Sequence, residues 1–282
     1  MNNKFISLIE LARLDKPIGI FLLLWPSLMG LALASMDSQI SLRNLLIVIF
    51  GSVVVRSCGC VINDISDFKI DRLVKRTSNR PIANGSINIY EAWIFFVFLG
   101  FISLCILFLT NKFTIVLSLF FSFFIVIYPL AKRFMPIPQF MLGITFGSGS
   151  LIAYSLESNI FNFSILILYI GIVAWIISFD TYYALEDKED DIKIGINSSA
   201  VFWGKNAIIY SKTLHLFFYL CLILVSRINE FSNLFYIGML LLILVFFHQN
   251  RLIQKEKYLE VFKTNNWTGL IAFIFLFIET FL

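Results

Sequence analysis

A chain of 282 residues that is 59% hydrophobic and only 14% charged, with a mean hydropathy of +0.86, is too apolar for an ordinary water-soluble domain and reads as a polytopic membrane protein. Its formal net charge of +4 excludes a strongly basic nucleic-acid surface. Cys58, Cys60, Cys105 and Cys221 all fall within or beside apolar runs and form no CxxC pair, so neither a disulfide framework nor a zinc site is suggested, and the isolated His215 and His248 read as packing or interfacial residues.

At the N-terminus, Lys4, Glu10, Arg13, Asp15 and Lys16 break up any apolar stretch of a cleavable leader. Nine apolar runs then follow, at roughly 17–36, 43–63, 90–110, 113–129, 138–155, 160–183, 207–226, 231–248 and 265–282. Each is near the roughly 20 residues that a spanning helix needs. No Pro- or Gly-rich linker divides them, so residues 1–282 read as one transmembrane domain, with polar caps at about 64–89 and 184–206. Seventeen Lys and Arg residues fall at one set of span ends and three, Arg43, Lys112 and Arg227, at the other. The positive-inside rule therefore puts the N-terminus and both caps in the cytoplasm.

The second run ends in Asn63-Asp64-Ile65-Ser66-Asp67-Phe68-Lys69-Ile70-Asp71. On a helix Asn63, Asp67 and Asp71 are spaced i, i+4, i+8 and stack on one face, which is destabilising unless a cation sits among the carboxylates. The sixth run ends in DTYYALEDKEDD, Asp180 to Asp191, where Asp187 and Asp191 repeat the i, i+4 spacing. These two segments, an even number of spans apart, open on the same membrane face and are consistent with an old duplication. Carboxylates with an amide oxygen form the hard-oxygen environment that Mg2+ selects, and Mg2+ takes one or two carboxylates plus ligand phosphates. With Arg72, Lys75, Arg76 and Arg80 following directly, the pattern points to a diphosphate held between two Mg2+ ions. Asn63, Asp67 and Asp71 are the candidates for one ion, Asp187 and Asp191 for the other, with Asp64, Asp180 and Tyr183 in support. Arg56, a charge inside the second run, is expected to face the protein interior or a wet cavity, as a substrate contact or as half of an ion pair. A cation transporter would use similar carboxylates, but near the bilayer midplane and on broken helices. Here they gather at one face beside cations that suit an anion.

NDISDFKID and DTYYALEDKEDD resemble the NDxxDxxxD and DxxYAxxDxxxD motifs of the UbiA superfamily of intramembrane aromatic prenyltransferases. The likeness extends to RLDKPIG at Arg13–Gly19, VKRTSNRPIANG at Val74–Gly85, YPLAKR at Tyr128–Arg133, DIKIGINSSA at Asp191–Ala200 and NNWTGL at Asn265–Leu270. The resemblance implies an all-α bundle of nine transmembrane helices around a central cavity that opens sideways to lipid. It also implies Mg2+-dependent transfer of a polyprenyl group from polyprenyl diphosphate to an arene. The flanking segments are most similar to the branch acting on 4-hydroxybenzoate in ubiquinone biosynthesis, in a bacterial inner membrane. Dihydroxynaphthoate, homogentisate or haem are the acceptors of other branches. By the same resemblance Asp67, Asp71, Asp187 and Asp191 are the catalytic carboxylates and Arg133, beside Lys132, would hold the benzoate carboxylate. The implied partners are the two substrates and membrane lipid, with no nucleic acid.

Overall fold

The computed structural model describes residues 2–36, 39–131 and 133–282, all of them helix, turn or irregular chain. The helices are α1 (Asn2–Leu11), α2 (Ile18–Ala34), α3 (Leu42–Asp71), α4 (Ile89–Leu107), α5 (Lys112–Ala131), α6 (Pro138–Tyr154), α7 (Phe163–Ile194), the short α8 (Ser199–Phe202), α9 (Ala207–Ile228), α10 (Asn233–Ile253) and α11 (Tyr258–Glu279). Each of the nine apolar runs falls on one helix. Among the described residues seven helices, α3, α4, α5, α7, α9, α10 and α11, are long and apolar enough to cross a membrane. At 17 residues α2 is a shorter apolar helix, and α6, also of 17, is diluted by glycines and serines.

Three boundaries differ from the expected ones by seven residues or more. NDISDFKID and ALEDKEDDIKI contain neither glycine nor proline, so nothing stops the helix where the apolar run stops. α3 therefore continues to Asp71 and α7 to Ile194, and the caps begin at Arg72 and Gly195 rather than at 64 and 184. Gly195 closes α7 at a φ of 76°, a left-handed cap that glycine adopts without a Cβ penalty. At the other end of the chain α11 starts at Tyr258, seven residues before the expected 265. In the added turns Lys263 pairs with Glu260 at 2.9 Å and the Thr264 hydroxyl donates to the Val261 carbonyl at 2.7 Å, and the asparagines that follow are taken up by tryptophans: Trp175 Nε1 donates to Asn265 Oδ1 at 2.8 Å and Trp25 Nε1 to Asn266 Oδ1 at 2.9 Å.

Packing neighbours run α2, α3, α5, α6, α7 and α11 and back to α2, with α4 outside α3, α9 outside α7 and α10 outside α11. Inside a bilayer, helices associate by close packing rather than by water exclusion, so small residues sit where backbones meet. A Cβ on Gly30 would lie 2.0 Å from the Ser150 carbonyl oxygen, and one on Gly269 would strike Trp25 and Trp175 within 2.8 Å. The densest packing lies on the α7 side, where the fully buried Trp175 stacks on Phe218 at 5.1 Å and meets Phe179 edge-on at 5.3 Å. Between α2, α3, α4, α5 and α6 the packing opens instead into an apolar cavity of about 600 Å³. A separate small core of Leu11, Val61, Ile65, Ile82, Ile87 and Ala92 ties α1 and the cap after α3 to one side of that helix.

Candidate active site

Because α3 outruns its apolar stretch, Asn63, Asp67 and Asp71 stand on successive turns of one face at the helix end, where they line a cavity of about 170 Å³. α7 supplies the opposite wall. Asp180, Asp187 and Asp191 are spaced i, i+7, i+11, one face again, and all three line the same cavity. The two acidic segments, 120 residues apart in sequence from Asp67 to Asp187, thus meet across one space. Asp67 and Asp71 are 1% and 5% exposed, and buried like charge requires compensation.

Part of that compensation comes from the cap. Arg76 Nε donates to Asp187 Oδ1 at 2.8 Å and its Nη2 to the other carboxylate oxygen, while Nη1 donates to the Tyr183 hydroxyl. Its guanidinium also lies over the Tyr183 ring, 4.4 Å from the centroid. Arg80 Nη1 donates to both oxygens of Asp71 at 3.1 and 2.9 Å and to Asp64 Oδ1 at 3.1 Å. Burial opposes the charge on both arginines, but Asp187 for Arg76, and Asp64 with Asp71 for Arg80, outweigh it and raise their pKa values. Both guanidiniums stay charged, each a planar fork suited to carboxylate or phosphate oxygens.

The other expected residues are more dispersed. Tyr183 lines the cavity, but Asp64 does not. Of the four cap cations only Arg76 and Arg80 reach the lining; Arg72 donates from Nε to the Ala83 carbonyl at 3.0 Å and packs over Phe68, and Lys75 is exposed. Arg133 is exposed and outside the lining, its Nη2 donating to the Ser66 carbonyl at 2.8 Å. Lys132 lies outside the described residues. Arg56 sits one layer behind the cavity, over the Phe146 ring at 5.2 Å, within electrostatic reach of Asp180 and Tyr128 and with its Nε buried and unpartnered.

Three groups in or beside the site were not singled out from the sequence. Tyr128, just before Pro129 in α5, lines the cavity, as does Gln139 at the second position of α6, whose Oε1 accepts from the Ser199 N–H at 2.8 Å. The Tyr-Pro pair at a span end was the available signal for the first; a glutamine beside a proline gives none. Arg13, before α2, donates from Nη2 to both oxygens of Asp64 at 2.9 and 2.7 Å.

Among the described residues no three His, Cys, Asp or Glu side chains converge into a ready-made metal cage. What the cavity offers is several hard oxygen donors on two facing walls with two arginines between them. That donor set fits Mg2+, which keeps one or two carboxylates and completes its shell from water and ligand phosphate, better than a metal needing a full protein cage.

Known proteins resemble this chain over most of its length. Residues 23–277 match the UbiA prenyltransferase family. The chain is 40% identical over 265 residues, 93% of its length and 97% of the relative's, to the 4-hydroxybenzoate octaprenyltransferase of Vesicomyosocius okutanii subsp. Calyptogena okutanii. It is 38% identical over 97% of its length and 93% of the relative's to the protein of the same name from Pseudomonas fluorescens. Among solved structures, a UbiA homologue from Aeropyrum pernix K1 superposes with a TM-score of 0.80 at 25% identity, covering 92% of this chain and 97% of that one. An Archaeoglobus fulgidus homologue, solved with GPP and Mg2+, gives a TM-score of 0.75 at 18% identity over 98% of each chain and so agrees in fold. With a family match over most of its length and relatives near 40% identity, the chain belongs to the UbiA prenyltransferase family.

Proposed function

We propose that this membrane enzyme transfers a polyprenyl group from polyprenyl diphosphate to the ring of 4-hydroxybenzoate, ortho to the hydroxyl. The observation that carries the reading is the meeting of the α3 and α7 acidic faces across one cavity with Arg76 and Arg80 on its rim. The relatives' shared name as 4-hydroxybenzoate octaprenyltransferases supports the acceptor, and ubiquinone biosynthesis is the setting that the motif resemblance implies. In the reaction the bond from the allylic carbon to the diphosphate oxygen breaks, a bond to the ring carbon forms, and the ring loses a proton.

Asn63, Asp67 and Asp71 would hold one Mg2+ and Asp187 and Asp191 the second. Bound there, the ions neutralise the charge that builds on the departing diphosphate. Arg76 and Arg80 bind the diphosphate oxygens. The 600 Å³ cavity, walled by residues such as Leu23, Val48, Phe101, Leu104 and Phe121, receives the prenyl tail and keeps water from an allylic cation. For the acceptor carboxylate Arg56 fits better than Arg133, since its Nε is buried and unpartnered beside Tyr128 and Asp180, whereas Arg133 is exposed and engaged with Ser66. The seventeen-to-three bias of basic residues supports this site lying on the cytoplasmic side of the membrane, and the bacterial relatives support a bacterial inner membrane.

Membranes containing the protein, given 4-hydroxybenzoate, a polyprenyl diphosphate and Mg2+, should yield the 3-polyprenyl product by mass spectrometry, and EDTA should abolish it. Product from dihydroxynaphthoate but none from 4-hydroxybenzoate would overturn the acceptor. Arg56→Leu should raise the acceptor KM at least as much as Arg133→Ala; an unchanged KM in Arg56→Leu removes Arg56 from the carboxylate site.

A further inference from the structure

We propose that Arg13 and Asp64 are a positioning pair for Arg80, so that Asp64 acts on the diphosphate through an arginine and is not a metal ligand. The inference rests on the diphosphate reading above and concerns one carboxylate of the acidic motif and one residue outside it.

Asp64 is 1% exposed and stands between two residues of the motif, yet it does not line the cavity, whereas Asn63, Asp67, Asp71 and Arg80 all do. Its two oxygens are taken from behind by Arg13 Nη2 at 2.9 and 2.7 Å, and Oδ1 also accepts from Arg80 Nη1 at 3.1 Å. Asp64 and Asp71 are seven residues apart, two turns on one helical face, and Arg80 bridges them. A metal that claims Asp71 takes one of Arg80's two anchors. The other, Asp64, remains, and keeps the guanidinium at the cavity wall instead of letting a long side chain swing free.

Charge explains why a second arginine is needed. Asp64 alone would cancel Arg80 and leave little positive field for a diphosphate. With Arg13 also on the carboxylate, and Asp71 given over to a metal, Arg13, Asp64 and Arg80 carry a net charge of +1, presented to the cavity by Arg80, the member that lines it. Keeping a carboxylate this buried in its charged form also requires paired, hydrogen-bonded neighbours.

The backbone is built for this contact. Arg13 has a φ of 58°, a left-handed conformation that non-glycine residues seldom adopt and that costs on the order of 1 kcal/mol. Its Nη1 donates to the Glu10 carbonyl at 2.7 Å, folding the side chain back over the turn toward α3. Leu11, Ile82 and Ile87 share one small core with Val61 and Ile65 of α3, which brings the segment before α2 and the cap to the same side of that helix.

Purified protein in nanodiscs provides the test, with a non-hydrolysable prenyl thiodiphosphate titrated calorimetrically at saturating Mg2+ and Mg2+ half-saturation read from steady-state kinetics. Asp64→Asn and Arg13→Leu should each weaken thiodiphosphate binding and raise the prenyl diphosphate KM by about tenfold, the scale of one charge-assisted contact. The Mg2+ half-saturation should stay within about twofold of the parent value, and Arg13→Lys, which keeps the charge, should show a smaller shift of the same kind. A shift in Mg2+ half-saturation as large as that of Asp67→Asn would make Asp64 a metal ligand and overturn the proposal, as would unaltered thiodiphosphate affinity in both variants. Should Asp64→Asn fail to fold, Arg13→Leu decides alone by the same criteria. Arg80→Gln separates the two levels: if it too leaves thiodiphosphate binding untouched, the diphosphate site itself is misassigned.

Discussion

The two acidic segments share a helical spacing but not an environment. On α3, Asp64, Asp67 and Asp71 are all at most 5% exposed, and Asp64 and Asp71 are joined through Arg80 and tied back to the N-terminal segment through Arg13. On α7, Asp187 has a side chain 16% exposed and pairs with Arg76, whose own side chain is 30% exposed. The α3 wall is braced from behind; on the α7 wall Asp187 is fastened by an arginine from the cap. Preorganised charge is worth most where it need not rearrange during the reaction. The α3 wall has that character, while Asp187 and Arg76 on the α7 side stand closer to solvent.

Substitutions can break this comparison at several strengths. Asp67→Ala and Asp187→Ala should each lower kcat by about two to three orders of magnitude with the protein still inserted in membranes, because each strips a wall of a proposed metal carboxylate. Near-normal turnover in either would remove its wall from catalysis. Arg80→Gln should then lower stability more than Arg76→Gln. It leaves two buried carboxylates short of a partner, a cost of about 3 kcal/mol, while Asp187 retains access to water. Thermal unfolding in detergent reads the difference, and equal shifts would mean that the two walls are braced alike. Tyr183→Phe should have the smallest effect, a roughly twofold to fivefold rise in the diphosphate KM, since only one hydroxyl contact to Arg76 is lost. A larger loss would give the tyrosine a direct role on substrate.

How much of this was legible in the sequence follows from the range of the interactions. Asn63, Asp67 and Asp71 declare themselves because helical periodicity is local and like charges stacked along one face need a cation. That Asp187 and Asp191 would join them was legible as a repeated spacing at the end of another span. Asp64 reads as one more motif carboxylate, because nothing local reveals that Arg13 of the N-terminal segment closes on it. Arg13 was hidden for the same reason: its partner is 51 residues away, and near a first span an arginine reads as a topological anchor. The cap cations show the limit from the other side. Four charges in nine residues look equivalent, but the turns after Asp71 aim only Arg76 and Arg80 at the cavity and fasten Arg72 to Ala83. Helix ends were misjudged where hydropathy and helical propensity part company, as at Asp71 and Ile194, where polar residues continue a helix beyond its apolar stretch.

The central claim is that α3 and α7 together form one metal-dependent diphosphate site. Calorimetric titration of a prenyl thiodiphosphate, with and without Mg2+, into the parent protein, Asp67→Asn and Asp187→Asn tests it most directly. The account predicts Mg2+-dependent binding to the parent and its loss, to a similar degree, in both variants. Full Mg2+-dependent binding in either variant would show that one wall suffices and would contradict a site shared between the two helices.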